Sequence, residues 1–417
     1  MTASLTVWWD GRDVGLLSLD RHGEMRFAYS ETWLADETAP PVSFSLPKRQ
    51  QPFSRREARP FFEGLLPEEE QREAIAAALG ISKGNEFRLL ESLGGEVAGA
   101  LTLWPTGEAL PNTSDAKANT PLSETDLIAV LDRLPMRPFL AGERGLRLSL
   151  AGAQSKLPIV LVDDQIALPA PGQPTTHILK PPIARFENTT ENEAFAMRLA
   201  SKLGLDVAAV EIRAVAGRPY MLVERYDRTV DSDGQIRRLH QEDFCQALGV
   251  FTERKYASEG GPTFKTSFDL VRRACSRPAV ELLKLLDVAI VQVLTGNADA
   301  HGKNYSLLHR DDGVALAPLY DLLCTVAYPD LSPTFAMKIA RRGTLADLKP
   351  GDWDTFAKEA GLAPPFVRRR VTELANSALE CRTQAVEELA QSPASERALQ
   401  DYGNRIRQRA EKLAKTD

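Results

Sequence analysis

Three oxygen-bearing side chains define the chemistry this chain could perform. Asp299 and Asn304 are five positions apart in Gly296-Asn-Ala-Asp-Ala-His-Gly-Lys-Asn304, and Asp321 follows in Pro318-Leu-Tyr-Asp321. Asp-x-x-x-x-Asn is the spacing of a kinase catalytic loop, in which the carboxylate accepts the proton of an attacking hydroxyl and the amide oxygen holds a magnesium ion. Asp321 then falls where a kinase keeps its second metal ligand. Phosphoryl transfer needs little covalent help. It needs cations on the phosphates, oxygen ligands for a metal and a carboxylate at the nucleophile.

The elements around these residues must hold them in place. Ala279 to Leu294 reads as a helix, with Val280, Leu283, Leu286 and Val288 at helical spacing. By Ile290 it is apolar nearly all round, so its end should be buried. It breaks at Gly296, and a run of polar groups at such a place is costly without partners. Tyr305–Leu308 and Val314–Leu316 read as two strands about the Arg310-Asp-Asp-Gly313 turn, and they would carry the chain on to Asp321.

Upstream lie residues suited to a nucleotide. Leu146 to Lys156 followed by a strand, Leu157–Val162, has a strand, small-residue loop, strand layout. Ala151, Gly152 and Ala153 would let backbone approach a phosphate, but a tight hairpin fits equally. Lys180 ends the strand Thr176–Lys180, as a phosphate-holding lysine does or as one snorkelling to water does. Glu193, on a helix over Glu191–Leu203, could pair with Lys180 or be a first-turn acid capped by Thr190. Strands Val207–Val215 and Tyr220–Val223 lead into Glu224-Arg-Tyr-Asp-Arg228, where a kinase hinge would offer backbone to adenine; a charged strand end is the plain alternative.

The remaining chain supplies the frame. A three-stranded antiparallel meander is expected over residues 5–30, then helices Ser54–Leu65, Pro67 to Gly80 and Glu86–Leu93, with Ala98–Trp104 returning to the meander. Residues 105–122 read as a linker, and Ser123 starts a helix to Leu134. Helices are also expected from His240 to Gly249, over Phe335–Arg341, Trp353–Ala360 and Pro365–Thr383, and from about Ser395 to Lys415. Arg368-Arg-Arg370 and Arg405, Arg407 and Arg409 are basic runs that read as solvated helix faces rather than DNA contacts.

At 417 residues the chain is long enough for two or three domains. A net charge of −6 argues against non-specific nucleic-acid binding by the whole molecule. The four cysteines are far apart and without metal spacing, as reduced thiols of a cytoplasmic protein would be. No membrane span or signal peptide is apparent.

The motifs together resemble the HipA family of bacterial toxin kinases. The resemblance rests on Leu148-Ser-Leu-Ala-Gly-Ala-Gln-Ser-Lys156, His177-Ile-Leu-Lys180, Val223-Glu-Arg-Tyr-Asp-Arg228, Gln241 to Gly249, Lys255-Tyr to Pro262, Gly296 to Asn304 and Leu316 to Asp321. It implies an α+β, protein-kinase-like two-lobed fold with a small N-terminal α+β domain and an all-helical C-terminal lobe. The domains would be 1–105, a linker and helix over 106–145, a kinase N-lobe over 146–228 and a helical C-lobe over 229–417. It implies ATP and magnesium, with Asp299 as base and Asn304 and Asp321 as metal ligands. Ala151, Gly152, Ala153, Gln154, Ser155, Lys156, Lys180, Glu224, Arg225, Tyr226, His301, Lys303, Asn304, Tyr320 and Asp321 would contact the nucleotide. Ser149 matches the family's autophosphorylated serine, although a strand serine with a local hydrogen bond fits as well. The resemblance further implies a HipB-like helix-turn-helix antitoxin, operator DNA reached through it, and a cytoplasmic protein substrate such as an aminoacyl-tRNA synthetase, notably the glutamyl enzyme. Neither an H-R-D arginine nor D-F-G is present, and the family pattern accounts for both departures. Two other readings remain open at this level: a catalytically weak co-repressor acting through its antitoxin, and a small-molecule kinase.

Overall fold

The computed structural model describes residues 3–111, 119–143, 146–232, 235–349 and 351–415. The chain forms two interleaved units, residues 1–181 with 224–252 and residues 182–223 with 253–417.

The first unit opens with the expected meander. β1 (Ser4–Trp9), β2 (Arg12–Leu19) and β3 (Met25–Tyr29) pair antiparallel, and β4 (Leu101–Pro105) adds to the other edge of β1. The two-residue alternation buries Leu5, Val7, Leu17 and Phe27 completely on one face. Between β3 and β4 come α1 (Glu31–Ala35), which the sequence reading missed, α2 (Arg55–Glu63), α3 (Glu69–Leu79) and α4 (Glu86–Leu93). A capping box of Ser54 and Glu57 starts α2. Gly80 closes α3 at φ 65°, as expected, but Pro67 lies ahead of the helix, whose N-cap is Glu68. Of the expected linker, 112–118 lie outside the described residues. α5 (Glu124–Arg133) begins where the Ser123 hydroxyl accepts the Asp126 amide. β5 (Leu157–Val162) then pairs with β6 (Gln165–Ala167) on one side and β7 (His177–Lys180) on the other. The strand expected over Leu146–Leu150 is absent. Among the described residues its backbone forms an isolated bridge with the loop at Glu96, through the amides of Ser149 (2.9 Å) and Glu96 (2.8 Å), and a single loop residue cannot extend a ladder.

The chain then enters the second unit with α6 (Thr189–Lys202) and the hairpin of β8 (Val210–Val215) and β9 (Arg218–Glu224). It returns to the first unit for the hairpin β10 (Arg228–Val230) and β11 (Ile236–Arg238), then β12 (His240–Asp243) and α7 (Phe244–Leu248). The helix expected from His240 therefore starts later. Asp243 is its N-cap, in a reciprocal capping box with Gln246 (both bonds 2.8 Å), and His240 is held extended by its ring nitrogen on the Val42 carbonyl (2.8 Å).

The rest belongs to the second unit. α8 (Phe264–Ala274) was not anticipated; α9 (Pro278–Thr295) was. β13 (Ser306–Arg310) and β14 (Gly313–Leu316) form the expected hairpin, so the helical region carries a β-ribbon. Phe335–Arg341 is not helical. Phe335, Ala336, Met337 and Ile339 are buried and Lys338 is exposed, and the Ala336 amide bonds the Ala298 carbonyl (2.8 Å). α10 (Asp352–Ala360), α11 (Pro364–Leu389) and α12 (Glu396–Leu413) complete the unit, with α11 packed on α6, α9, α10 and α12. Among the described residues no helix is long and apolar enough to cross a membrane.

Candidate active site

α9 delivers the catalytic loop. Its first turns are more open than expected: Val280 is 51% and Leu283 43% exposed, whereas every residue from Ala289 to Thr295 is buried. Gly296 ends the helix at φ 72°, a left-handed conformation that suits glycine. Beyond it Asn297, Ala298, Ala300, His301, Lys303 and Asn304 are buried, and Asp299 among them is exposed. The carboxylate is thus presented to solvent from a rigid, buried platform.

The platform is fixed by side chains that bridge loops. Asn297 accepts the Asp299 amide on Oδ1 (3.1 Å) and donates from Nδ2 to the Asp321 carbonyl (3.4 Å). Thr325 accepts the Ala298 amide (2.7 Å) and donates to the Gly296 carbonyl (3.1 Å). Tyr320 donates to the Lys303 carbonyl (2.7 Å), and its oxygen lies 2.7 Å from the Ser306 hydroxyl. Asp321 itself is at φ 51°, an uncommon conformation for aspartate that marks a constrained position. From α6, Asn192 grips both backbone groups of Cys324 (2.7 and 3.2 Å), next to the buried Glu193. So Asp299, His301, Lys303, Asn304, Tyr320 and Asp321, all named from the sequence, come together in one set of loops. Tyr256, Asn297 and Thr325 were missed. Asn297 could have been found inside the motif. Tyr256 also lies in a matched stretch, but its contact could not be read: its hydroxyl reaches Asp299 Oδ1 (2.7 Å) from 43 residues upstream, with its ring edge-on to His301 at 5.1 Å.

Asn304 bears on metal binding. Its backbone amide bonds the His301 carbonyl (3.0 Å), but its side-chain Oδ1 is buried and finds no hydrogen-bond partner among the described residues. An unsatisfied buried oxygen costs about 1–3 kcal/mol, and an amide oxygen is a suitable ligand for a hard divalent cation. Among the described residues no group of three or more His, Cys, Asp or Glu could hold a metal.

The remaining predicted residues lie in the first unit. Ser149 is fully buried, and its hydroxyl donates to the Leu65 carbonyl (2.7 Å). Lys156 donates to the Ala151 carbonyl across Gly152, which is at φ 112° and where a Cβ would come within 2.7 Å of the Lys156 ammonium. Gln154 donates to the Pro181 carbonyl (3.3 Å), Ser155 to Gln71 (3.4 Å), and Ala153 is exposed at the tip. Lys180 is buried at the end of β7. In the expected hinge, Glu224 is exposed and Tyr226 donates to Gln241. Arg225 is buried, with its amide on the Thr176 carbonyl (2.9 Å). Its guanidinium bonds Asp227 (2.7 and 2.9 Å), Glu96 (3.2 Å), Thr175 (2.9 Å) and the Val97 carbonyl (3.0 Å). Arg228 (2.8 Å) and Arg238 (2.6 Å) also bond Glu96. Burial alone would raise the Glu96 carboxyl, but Arg228, Arg238 and Arg225 overcome it and hold it well below the usual range.

Comparison with known proteins gives a consistent picture. Residues 5–104 match the HipA N-terminal domain family and residues 148–382 the HipA-like C-terminal domain family. Y4mE of Sinorhizobium fredii, named as a kinase, is 61% identical over 390 residues, 92% of each chain. The serine/threonine-protein kinase toxin HipA of Shewanella oneidensis is 33% identical over 67% of this chain and 66% of its own. A solved Shewanella oneidensis complex of HipA, HipB and operator DNA superimposes with a TM-score of 0.85 at 28% identity, covering 98% of this chain and 96% of that one. The fold is α+β and kinase-like. With both domain families matched over most of its length, the chain belongs to the HipA family and is a protein kinase.

Proposed function

We propose that the protein transfers the γ-phosphoryl group of ATP to a serine or threonine hydroxyl of another protein. The observation that carries this is the pairing of an exposed Asp299 carboxylate with a buried Asn304 oxygen that lacks a hydrogen-bond partner among the described residues. Asp299 accepts the proton of the attacking hydroxyl, and Tyr256 and Asn297 keep it aimed. Asn304 and Asp321 are the residues that would hold magnesium; when bound, the ion would neutralise charge developing on the phosphates. Lys180 holds the phosphates, and the small residues Ala151 to Lys156 cover the nucleotide. Tyr226 and the backbone of Glu224 and Arg225 face adenine. The Arg225 guanidinium, already engaged by Glu96 and Asp227, acts from behind.

Ser149 is the self-limiting switch. Phosphorylation would put about −1.5 to −2 charge on a hydroxyl that is fully buried against Leu65. The segment must leave that seat, and nucleotide binding is lost with it. A HipB-like antitoxin is the partner, and operator DNA is reached through it, in keeping with this chain's net charge of −6 and with the Shewanella assembly it resembles. The cellular target is an ATP-using enzyme of translation, an aminoacyl-tRNA synthetase such as the glutamyl enzyme, and its modification slows growth. The decisive experiment incubates the protein with labelled ATP and magnesium beside Asp299→Ala and maps the label by mass spectrometry. Label on Ser149 in the wild type only supports the reading. Label retained by Asp299→Ala removes Asp299 from the role of base.

A further inference from the structure

α12 begins at Glu396, beyond residue 382 where the match to the C-terminal domain family ends. Arg405, Arg407 and Arg409 on it do not form a single solvated face. Arg407 is exposed, and Arg405 pairs with Asp401 on its own helix (2.8 Å). Arg409 turns inward. Its Nε donates to the Leu294 carbonyl (3.0 Å) and a terminal nitrogen to the Val293 carbonyl (2.6 Å). These belong to the last turn of α9, where carbonyls run short of helical amides; the Val293 carbonyl also accepts the Gly296 amide (3.3 Å). Desolvation lowers the Arg409 pKa, and among the described residues no carboxylate pairs with it. What compensates the guanidinium is the negative end of the α9 dipole and the two carbonyls themselves. An apolar residue would fill this place at less cost, so the charge calls for a reason.

The reason lies in the next residues. A Cβ on Gly296 would fall 2.5 Å from Val326 Cγ2 and 2.8 Å from Arg409 Cζ, so the three groups leave no slack. Val326 donates its amide to the Gly296 carbonyl (3.2 Å), and Asp299 follows three residues on. We propose that Arg409 is a positioning residue: it clamps the end of α9 to α12, and so fixes where the catalytic loop leaves the helix and where Asp299 stands. This rests on Asp299 being the base. A lysine could not replace it, because one ammonium lacks the planar fork that meets two carbonyls at once.

The test measures hydrogen exchange over residues 294–304, together with kcat and KM for ATP, in Arg409→Lys and Arg409→Met. Arg409→Ala is assayed with and without added guanidinium ion. Exchange in the loop should accelerate about tenfold. kcat should fall about tenfold with KM for ATP within about twofold, and guanidinium should restore part of kcat. Wild-type exchange in the loop of both variants overturns the proposal. So does faster exchange spread evenly over α11 and α12 with KM rising as kcat falls, which would make Arg409 a general packing residue. If Arg409→Met does not fold, Arg409→Lys decides. If the wild type transfers no phosphate, the kinase reading fails, and loop exchange still reports whether Arg409 orders the loop.

Discussion

Two charged clusters in this protein are built to opposite ends. In the first unit Glu96, Arg225, Asp227, Arg228 and Arg238 are sunk together, and each carboxylate meets at least two guanidinium groups. In the second unit the loop over Asp299 to Asn304 leaves its carboxylate exposed and one amide oxygen unmatched. Charges satisfied by one another hold a backbone in place and are closed to ligands. Charges held rigid but incompletely satisfied are open to them. Both clusters read alike on paper, as short runs dense in Asp, Arg, Lys and Asn.

Asp299→Ala probes the contrast with the largest effect. It should lower phosphoryl transfer about 10²–10⁴-fold and leave thermal stability nearly unchanged, because the side chain is exposed; a large drop in melting temperature would make it structural. Glu96→Gln should do the reverse. Removing one charge from the buried network costs about 3–5 kcal/mol of stability, read by denaturant unfolding, and a variant as stable as wild type would break the comparison. The pH dependence follows from the same carboxyls. Glu96 and Asp227 are both depressed on folding, so their contribution is fully present above the ordinary carboxylate range. It is lost as pH falls below about 4, toward their folded values. Acid melting curves should therefore diverge between wild type and Glu96→Gln above that pH and converge below it.

Smaller effects sharpen the contrast. Tyr256→Phe removes one hydrogen bond to the Asp299 carboxylate and keeps the ring against His301. Transfer should fall about tenfold with little change in melting temperature, and full activity would show that Asn297 alone suffices. Arg405→Ala breaks only an exposed pair with Asp401. Its cost should be about 0.5 kcal/mol or less, a baseline against which Arg409 on the same helix is judged.

The order of elements was legible because short-range signals wrote it: alternation in β1 to β3, capping at Ser123 and Gly80, and the apolar run of α9. Where the reading failed, a longer-range partner had intervened. The His240 segment stays extended because Val42 holds its ring, and Phe335–Arg341 is irregular rather than helical, with the catalytic loop taking the Ala336 amide and a turn at Ala340 (φ 50°).

The sequence by itself determined the spacing of Asp299, Asn304 and Asp321, the break at Gly296 and the family, since these are properties of neighbouring residues. Only the tertiary structure decided that Arg225 is locked to Glu96 while Asp299 faces solvent, that Tyr256 touches the base, and that Arg409 rather than Arg405 or Arg407 turns inward. The fate of a charge depends on which partners reach it when water is removed, and here those partners lie from 43 to 129 positions away.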